Sequence, residues 1–138
     1  MEVLNSGFKE LEHTADWAIQ VWAPDLSTLF VKAAEGMNFL SEIQLEERKK
    51  IKRSVSFDSS ELETLLVMFL EEILFFSEHH GIGFDRFEVK ISDGYSLNSK
   101  LFGAKIIKST KEIKAVTFHN MKVSQTESGF EVLIVFDV

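Results

Sequence analysis

The sequence contains no cysteine and a single proline, and glycine occurs only 7 times in 138 residues. Without cysteine there is no disulfide framework, no thiolate metal site and no cysteine nucleophile. So little proline and glycine excludes a collagen-like or low-complexity chain, and no Gly/Ser/Pro-rich linker marks a domain boundary. Basic residues are also short, with 15 Lys and Arg against 22 Asp and Glu for a formal charge of −7. Affinity for a phosphate backbone comes largely from Lys and Arg, so a purely electrostatic binder of nucleic acid or anionic membrane is disfavoured. Long hydrophobic runs are missing too. The longest apolar stretch, Leu65 to Phe76, is interrupted by Glu71 and Glu72 and is shorter than the ~20 residues of a membrane span. The start Met1-Glu2-Val3-Leu4-Asn5 lacks the basic segment and apolar core of a signal peptide, which predicts a soluble cytoplasmic protein.

Hydrophobic residues make up 45% of the chain, 13 of them Phe, while charged residues make up 27%. That balance fills one core, and the length predicts a single domain over residues 1–138. Residues 8–13 and 17–22 read as two short strands, with Trp17, Ile19 and Val21 on one face and a turn at Thr14-Ala15-Asp16. Pro24-Asp25 opens a helix capped by Asp25 or Ser27, and Leu26, Leu29, Phe30, Ala33, Ala34 and Met37 form its core stripe. Residues 41–53 are polar and lead into a strand at 51–57. Ser59 or Ser60 caps a second helix over 61–78, with Leu62, Leu65, Leu66, Phe69, Ile73 and Phe76 on one stripe and Gly81 as its stop. Five further apolar residues widen that stripe, which predicts a central, deeply buried helix. Strands follow at 84–91, 97–106, 113–123 and 130–137, broken by turns at Asp93-Gly94 and Ser128-Gly129. Strands on both sides of two helices, without βαβ alternation, predict an α+β domain with the helices packed on mostly antiparallel sheet.

Charge is unevenly placed. Arg48, Lys49, Lys50, Lys52 and Arg53 form a basic run, whereas no Lys or Arg occurs from Ser54 to Asp85. A solvated basic loop beside an acidic helix face accounts for this, and a docking surface for a partner protein is the functional alternative.

Three groups of residues carry candidate chemistry. His13-Thr-Ala-Asp16 ends the first strand. At the other end of the chain, Phe130 to Val138 is apolar on both faces, as in an interior strand, and Asp137 shares a face with Leu133 and Val135. A carboxylate at the end of a buried strand costs several kcal/mol unless it is paired or bound to a cation, an estimate on the order of one lost ion partner. If the two segments meet, Asp16, Asp137 and a main-chain oxygen of Val138 present oxygen ligands only, which suits a hard cation rather than zinc. Otherwise both aspartates are turn or capping residues. The third group is Ile113 to His119, where an ideal strand puts Lys114 and His119 on opposite faces and makes His119 a backbone-bonded structural histidine. His79-His80 at the helix end point ~100° apart and suit the helix C-terminus better than a shared metal. There is no Gly-rich phosphate loop, G-x-S-x-G, H-E-x-x-H or EF-hand loop.

Four segments together resemble the archease family. They are Leu11-Glu-His-Thr-Ala-Asp16 with Leu29-Phe-Val-Lys-Ala-Ala-Glu-Gly-Met37, the helix Leu65 to Leu74, Ile113-Lys-Ala-Val-Thr-Phe-His119 and Ile134-Val-Phe-Asp-Val138. The resemblance runs from about Phe8 to Val138, with Glu71 standing where the family usually has Asn. It implies a non-catalytic accessory protein of an RtcB-type RNA ligase, acting in tRNA splicing and RNA repair by promoting GTP-dependent guanylylation and multiple turnover. It also implies a divalent metal held by Asp16, Asp137 and Val138, with Ca²⁺ first and Mg²⁺ or Mn²⁺ as alternatives. His13 and Lys114 fall in matching motifs as candidate contacts to the ligase, and RNA would be met only through the ligase. The competing expectations are a general chaperone or modulator of RNA-processing proteins, and a metal-dependent hydrolase built on Asp16, Asp137 and His119.

Overall fold

In the computed structural model, residues 5–11, 17–47 and 50–138 are described. Along the chain the elements are β1 (Gly7–Leu11), β2 (Trp17–Ala23), α1 (Leu26–Ser41), β3 (Gln44–Leu45), β4 (Ile51–Asp58), α2 (Leu62–His80), β5 (Ile82–Ser92), β6 (Ser96–Lys108), β7 (Ala115–Thr117), β8 (Ser124–Thr126) and β9 (Gly129–Asp137). They form two antiparallel sheets rather than one. The first runs β1-β2-β9-β7, with β8 on the same side of β9 as β7, and in the second β6 lies between β5 and β4, with β3 pairing its far end.

Both helices contact strands of both sheets, so their apolar stripes are covered from two sides. This is the α+β architecture expected from the alternation of strands and helices. Phe30, Phe69, Phe84 and Phe136 are fully buried at the centre. Phe30 and Phe69 join the two helices with ring centroids 5.9 Å apart, and Phe76 of α2 meets Phe84 of β5 edge-on at 5.4 Å. Each such ring removed from water contributes about 1.5–3 kcal/mol. The burial of α2 is not complete all round, because Phe75 remains 44% exposed. Among the described residues no helix is long and apolar enough to cross a membrane.

The helix ends follow from particular side chains. Asp25 caps α1, its Oδ1 accepting from Thr28 N–H at 2.8 Å. Ser27 serves the tertiary fold instead, accepting from Ile91 N–H at 3.1 Å and tying α1 to β5. At the start of α2 the cap position is Glu61, which makes no side-chain capping bond, while Ser59 Oγ accepts the Glu61 N–H at 3.1 Å. Gly81 ends α2 in the left-handed conformation at φ 64°, where a β-carbon would be strained. At Gly103 the constraint is close approach, since a methyl group there would run into the carbonyl oxygen of Gly83 on the neighbouring strand.

Two expectations are corrected, and a third falls partly on residues that are not described. The polar stretch 41–53 contains a two-residue strand, β3, at a shift in register against β6. The strand expected over 113–123 is only Ala115–Thr117, because Asn120 adopts a left-handed conformation at φ 54° and Met121 N–H closes a turn onto Phe118 O at 3.0 Å. The first strand is described only to Leu11, and the turn at Thr14-Ala15-Asp16 lies outside the described residues.

Candidate functional site

The C-terminal strand is held from both sides. β2 pairs with β9 from Trp17↔Phe136 to Ala23↔Phe130, while β7 pairs Ala115 with Asp137 and Thr117 with Val135. The ladder runs one step further, where Lys114 N–H donates to Asp137 O at 2.8 Å. The main chain at Asp137 is therefore held by β7, one residue past the last described pair with β2, and its side chain lies on the face of Leu133 and Val135, as the alternation requires.

Burial is where the structure departs from expectation. Asp137 is exposed and Val138 is 40% exposed, because the last residues of β9 project beyond the core that encloses Phe136. Water solvates these groups, so no buried charge demands a counterion there. What stands at this edge is an accessible donor set of oxygens, the Asp137 carboxylate and the main-chain oxygens of Val138, whose chemistry fits a hard cation. Asp16 and His13 lie outside the described residues. Trp17, which follows Asp16 in the chain, is the strand partner of Phe136, which precedes Asp137. Among the described residues, no three His, Asp or Glu side chains are placed to hold a metal ion.

Lys114 is exposed and lines a groove of about 390 Å³ with Glu71, Glu72, Glu78 and Phe75 of α2. Lys111 lies over the Trp17 ring, its Nζ 4.0 Å from the centroid. Position His119 is not the buried structural histidine expected of a strand. It is exposed in the turn after β7, with its N–H donated to Thr117 Oγ1 at 3.3 Å and its Nε2 3.2 Å from Asn120 Nδ2. Because β7 runs antiparallel to β9, His119 lies beyond Thr117, which is already two strand residues, about 7 Å, from the Asp137 partner Ala115. Lys114 and Asp137 are thus joined through their main chains only, the Lys114 side chain lying on the α2 face and the Asp137 carboxylate on the opposite one, and His119 lies apart from both. His79 stacks on Phe75 at 4.5 Å, and His80 lies 5.8 Å from Phe76.

Sequence reasoning missed Glu71 and Glu63. Glu71 Oε1 accepts from Val116 N–H at 2.9 Å, and Glu63 Oε2 accepts from Val123 N–H at 2.8 Å. These two carboxylates of α2 satisfy main-chain donors of the segment that flanks β9. The available signal was an acidic residue, Glu71, set within the most apolar stretch of the chain.

Residues 8–138 match the Archease protein family (MTH1598/TM1083). The chain belongs to the archease family. It is 33% identical over 130 residues to the protein archease of Pyrococcus abyssi, covering 88% of this chain and 91% of that one. To the protein archease of Methanopyrus kandleri it is 33% identical over 142 residues, covering 95% and 99%. The fold is similar to the solution structure of protein 1598 of Methanobacterium thermoautotrophicum, with a TM-score of 0.71, 25% identity and coverage of 96% and 99%. It is also similar to the crystal structure of an archease from Thermotoga maritima described as a possible chaperone, with a TM-score of 0.71, 23% identity and coverage of 94% and 96%. His13, Asp16, Lys114, Asp137 and Val138 all fall inside the segment that matches the archease family.

Proposed function

We propose that this archease-family chain is a non-catalytic activator of an RtcB-type RNA ligase in tRNA splicing and RNA repair. It would promote the ligase's GTP-dependent guanylylation and its multiple turnover, acting in the cytoplasm. The observation that carries the reading is family membership over residues 8–138, joined to an exposed oxygen-donor edge at Asp137 and Val138. The pairing of Trp17 with Phe136 supports the inclusion of Asp16 in the same donor set.

In this reading Asp16, Asp137 and Val138 hold a divalent cation, Ca²⁺ or alternatively Mg²⁺ or Mn²⁺. When bound, the cation supplies positive charge that can stabilise or position phosphate oxygens. The chain's own contribution is to hold the main chain at Asp137 against β7, directly after the β2 partner Phe136, while leaving the carboxylate accessible. Lys114, which is exposed, is a candidate contact to the ligase or its nucleotide in this reading. His13 is a second candidate for that contact.

The test is multiple-turnover RNA ligation by a cognate RtcB-type ligase at limiting enzyme with GTP, run with and without this protein. Stimulation of turnover is the expected result, and unchanged turnover would contradict the activator reading. A chaperone role, the description given to the Thermotoga maritima protein, is the second reading. It predicts suppression of aggregation of unrelated clients without dependence on Asp137.

A further inference from the structure

The second sheet has one face against the helices and one facing solvent. On β4, β6 and β5 the register aligns Lys52–Phe102–Arg86, Ser54–Lys100–Glu88 and Ser56–Asn98–Lys90 in three successive rows across the open face. Phe102 is half-buried and the other eight are exposed. No apolar area other than the Phe102 ring breaks these rows. That ring lies between cations, with Arg86 Cζ 4.1 Å and Lys52 Nζ 5.7 Å from its centroid. Lys50, Lys52 and Arg86 border a groove of about 310 Å³ at one end of the face, and Lys90 and Lys100 border one of about 400 Å³ at the other.

In a chain of formal charge −7, this face gathers five cations against Glu88, Asp85 and Asp58, the last in the next row with Ser96 and Ser92. Glu88 is engaged by Arg86 at 2.7 Å, whereas Lys52, Lys90 and Lys100 form no ion pair among the described residues. The acidic surplus of the protein therefore lies elsewhere and does not neutralise the open sheet. Uncompensated lysines attract phosphates, an aromatic ring and a guanidinium plane offer stacking surfaces for bases, and Ser and Asn side chains offer hydrogen bonds to base edges or sugars. An acidic protein surface would use the lysines but leave the stacked pair without a function. A duplex would present no unstacked bases to it.

We infer that the open face of β4, β6 and β5 binds single-stranded nucleic acid, with Lys52, Lys90 and Lys100 on the phosphates and Phe102 with Arg86 on a base. This inference rests on the charge and ring placement of the second sheet and is independent of the ligase reading. It adds a direct contact with RNA to one expected only through the ligase.

The test is fluorescence anisotropy of a labelled oligouridylate and the matching oligothymidylate with the full chain. The wild type binds, and three phosphate contacts weaken that binding about 20-fold between about 50 and about 200 mM KCl. Lys52→Glu/Lys100→Glu weakens it at least ~10-fold and Phe102→Ala about fivefold or more, with unchanged circular dichroism. Lys9→Glu/Lys122→Glu, which changes net charge equally away from the face, has a much smaller effect. Equal binding of the two strands assigns backbone and base stacking, and preference for oligouridylate adds the 2′-hydroxyl. Loss of binding equal to that of Lys9→Glu/Lys122→Glu, or no effect of Phe102→Ala, would overturn the assignment. So would absence of binding by the wild type. If Lys52→Glu/Lys100→Glu then lost binding to the ligase, the face would belong to an acidic protein surface.

Discussion

Glu71 Oε1 and the main-chain N–H of Val116 are 2.9 Å apart, and through this bond α2 anchors the short strand that pairs with Asp137. A helix side chain thus takes the place of a strand partner on the outer side of β7. The Glu71 carboxylate supplies an acceptor oxygen to this amide, as a carboxamide oxygen at the same place could.

Removing that acceptor leaves a part-buried N–H without its partner. Glu71→Ala is expected to cost about 1–3 kcal/mol, and Glu71→Gln, which retains an acceptor, clearly less. Thermal unfolding gives the ranking, and faster amide exchange at Val116 in the Ala variant locates the effect.

Gly103 tests the close approach of β5 and β6. Gly103→Ala forces a methyl group against the Gly83 carbonyl, and backbone cannot yield as a side-chain tip can. A loss of about 2 kcal/mol or more follows. Gly94→Ala is the informative contrast, because no atom lies within 4 Å of its added carbon and only the strain of φ +78° remains. Urea unfolding of the two variants compares crowding with strain.

Ser99 is 5% exposed, and its hydroxyl has no hydrogen-bond partner among the described residues. It sits on the helix-facing side of β6 between Val55 and Val89. Ser99→Ala is expected to be neutral or to stabilise the fold by up to about 1 kcal/mol, since an unmet polar group is removed. A clear fall in melting temperature would show that the hydroxyl is satisfied.

Much of this fold is legible in the sequence, for physical reasons that differ by element. α1 and α2 declare themselves by apolar stripes long enough to average over single exceptions, and β9 by apolar residues on both faces. Asp25 and Gly81 mark helix ends through local chemistry alone. The division into two sheets is not legible, because period-two alternation says which face is buried and not which strands share it. The break after β7 hides behind a continuing strand-like pattern through Val123, and a single left-handed Asn120 decides it. At the site, the face of Asp137 follows from alternation, whereas its exposure depends on how far β9 runs past the core. The basic face was hidden in the same way. Lys52, Ser54 and Ser56 alternate visibly, but their alignment with Lys100, Phe102 and Arg86 exists only after the strands pair.

The most direct test of the account is multiple-turnover ligation by a cognate RtcB-type ligase with GTP, comparing wild-type protein with Asp16→Ala and Asp137→Ala. Both positions are predicted to be required. Stimulation by the wild type should fall to the level of ligase alone in each variant, while melting temperature stays within a few degrees because Asp137 is exposed. Full stimulation by the folded variants would contradict the metal-linked mechanism.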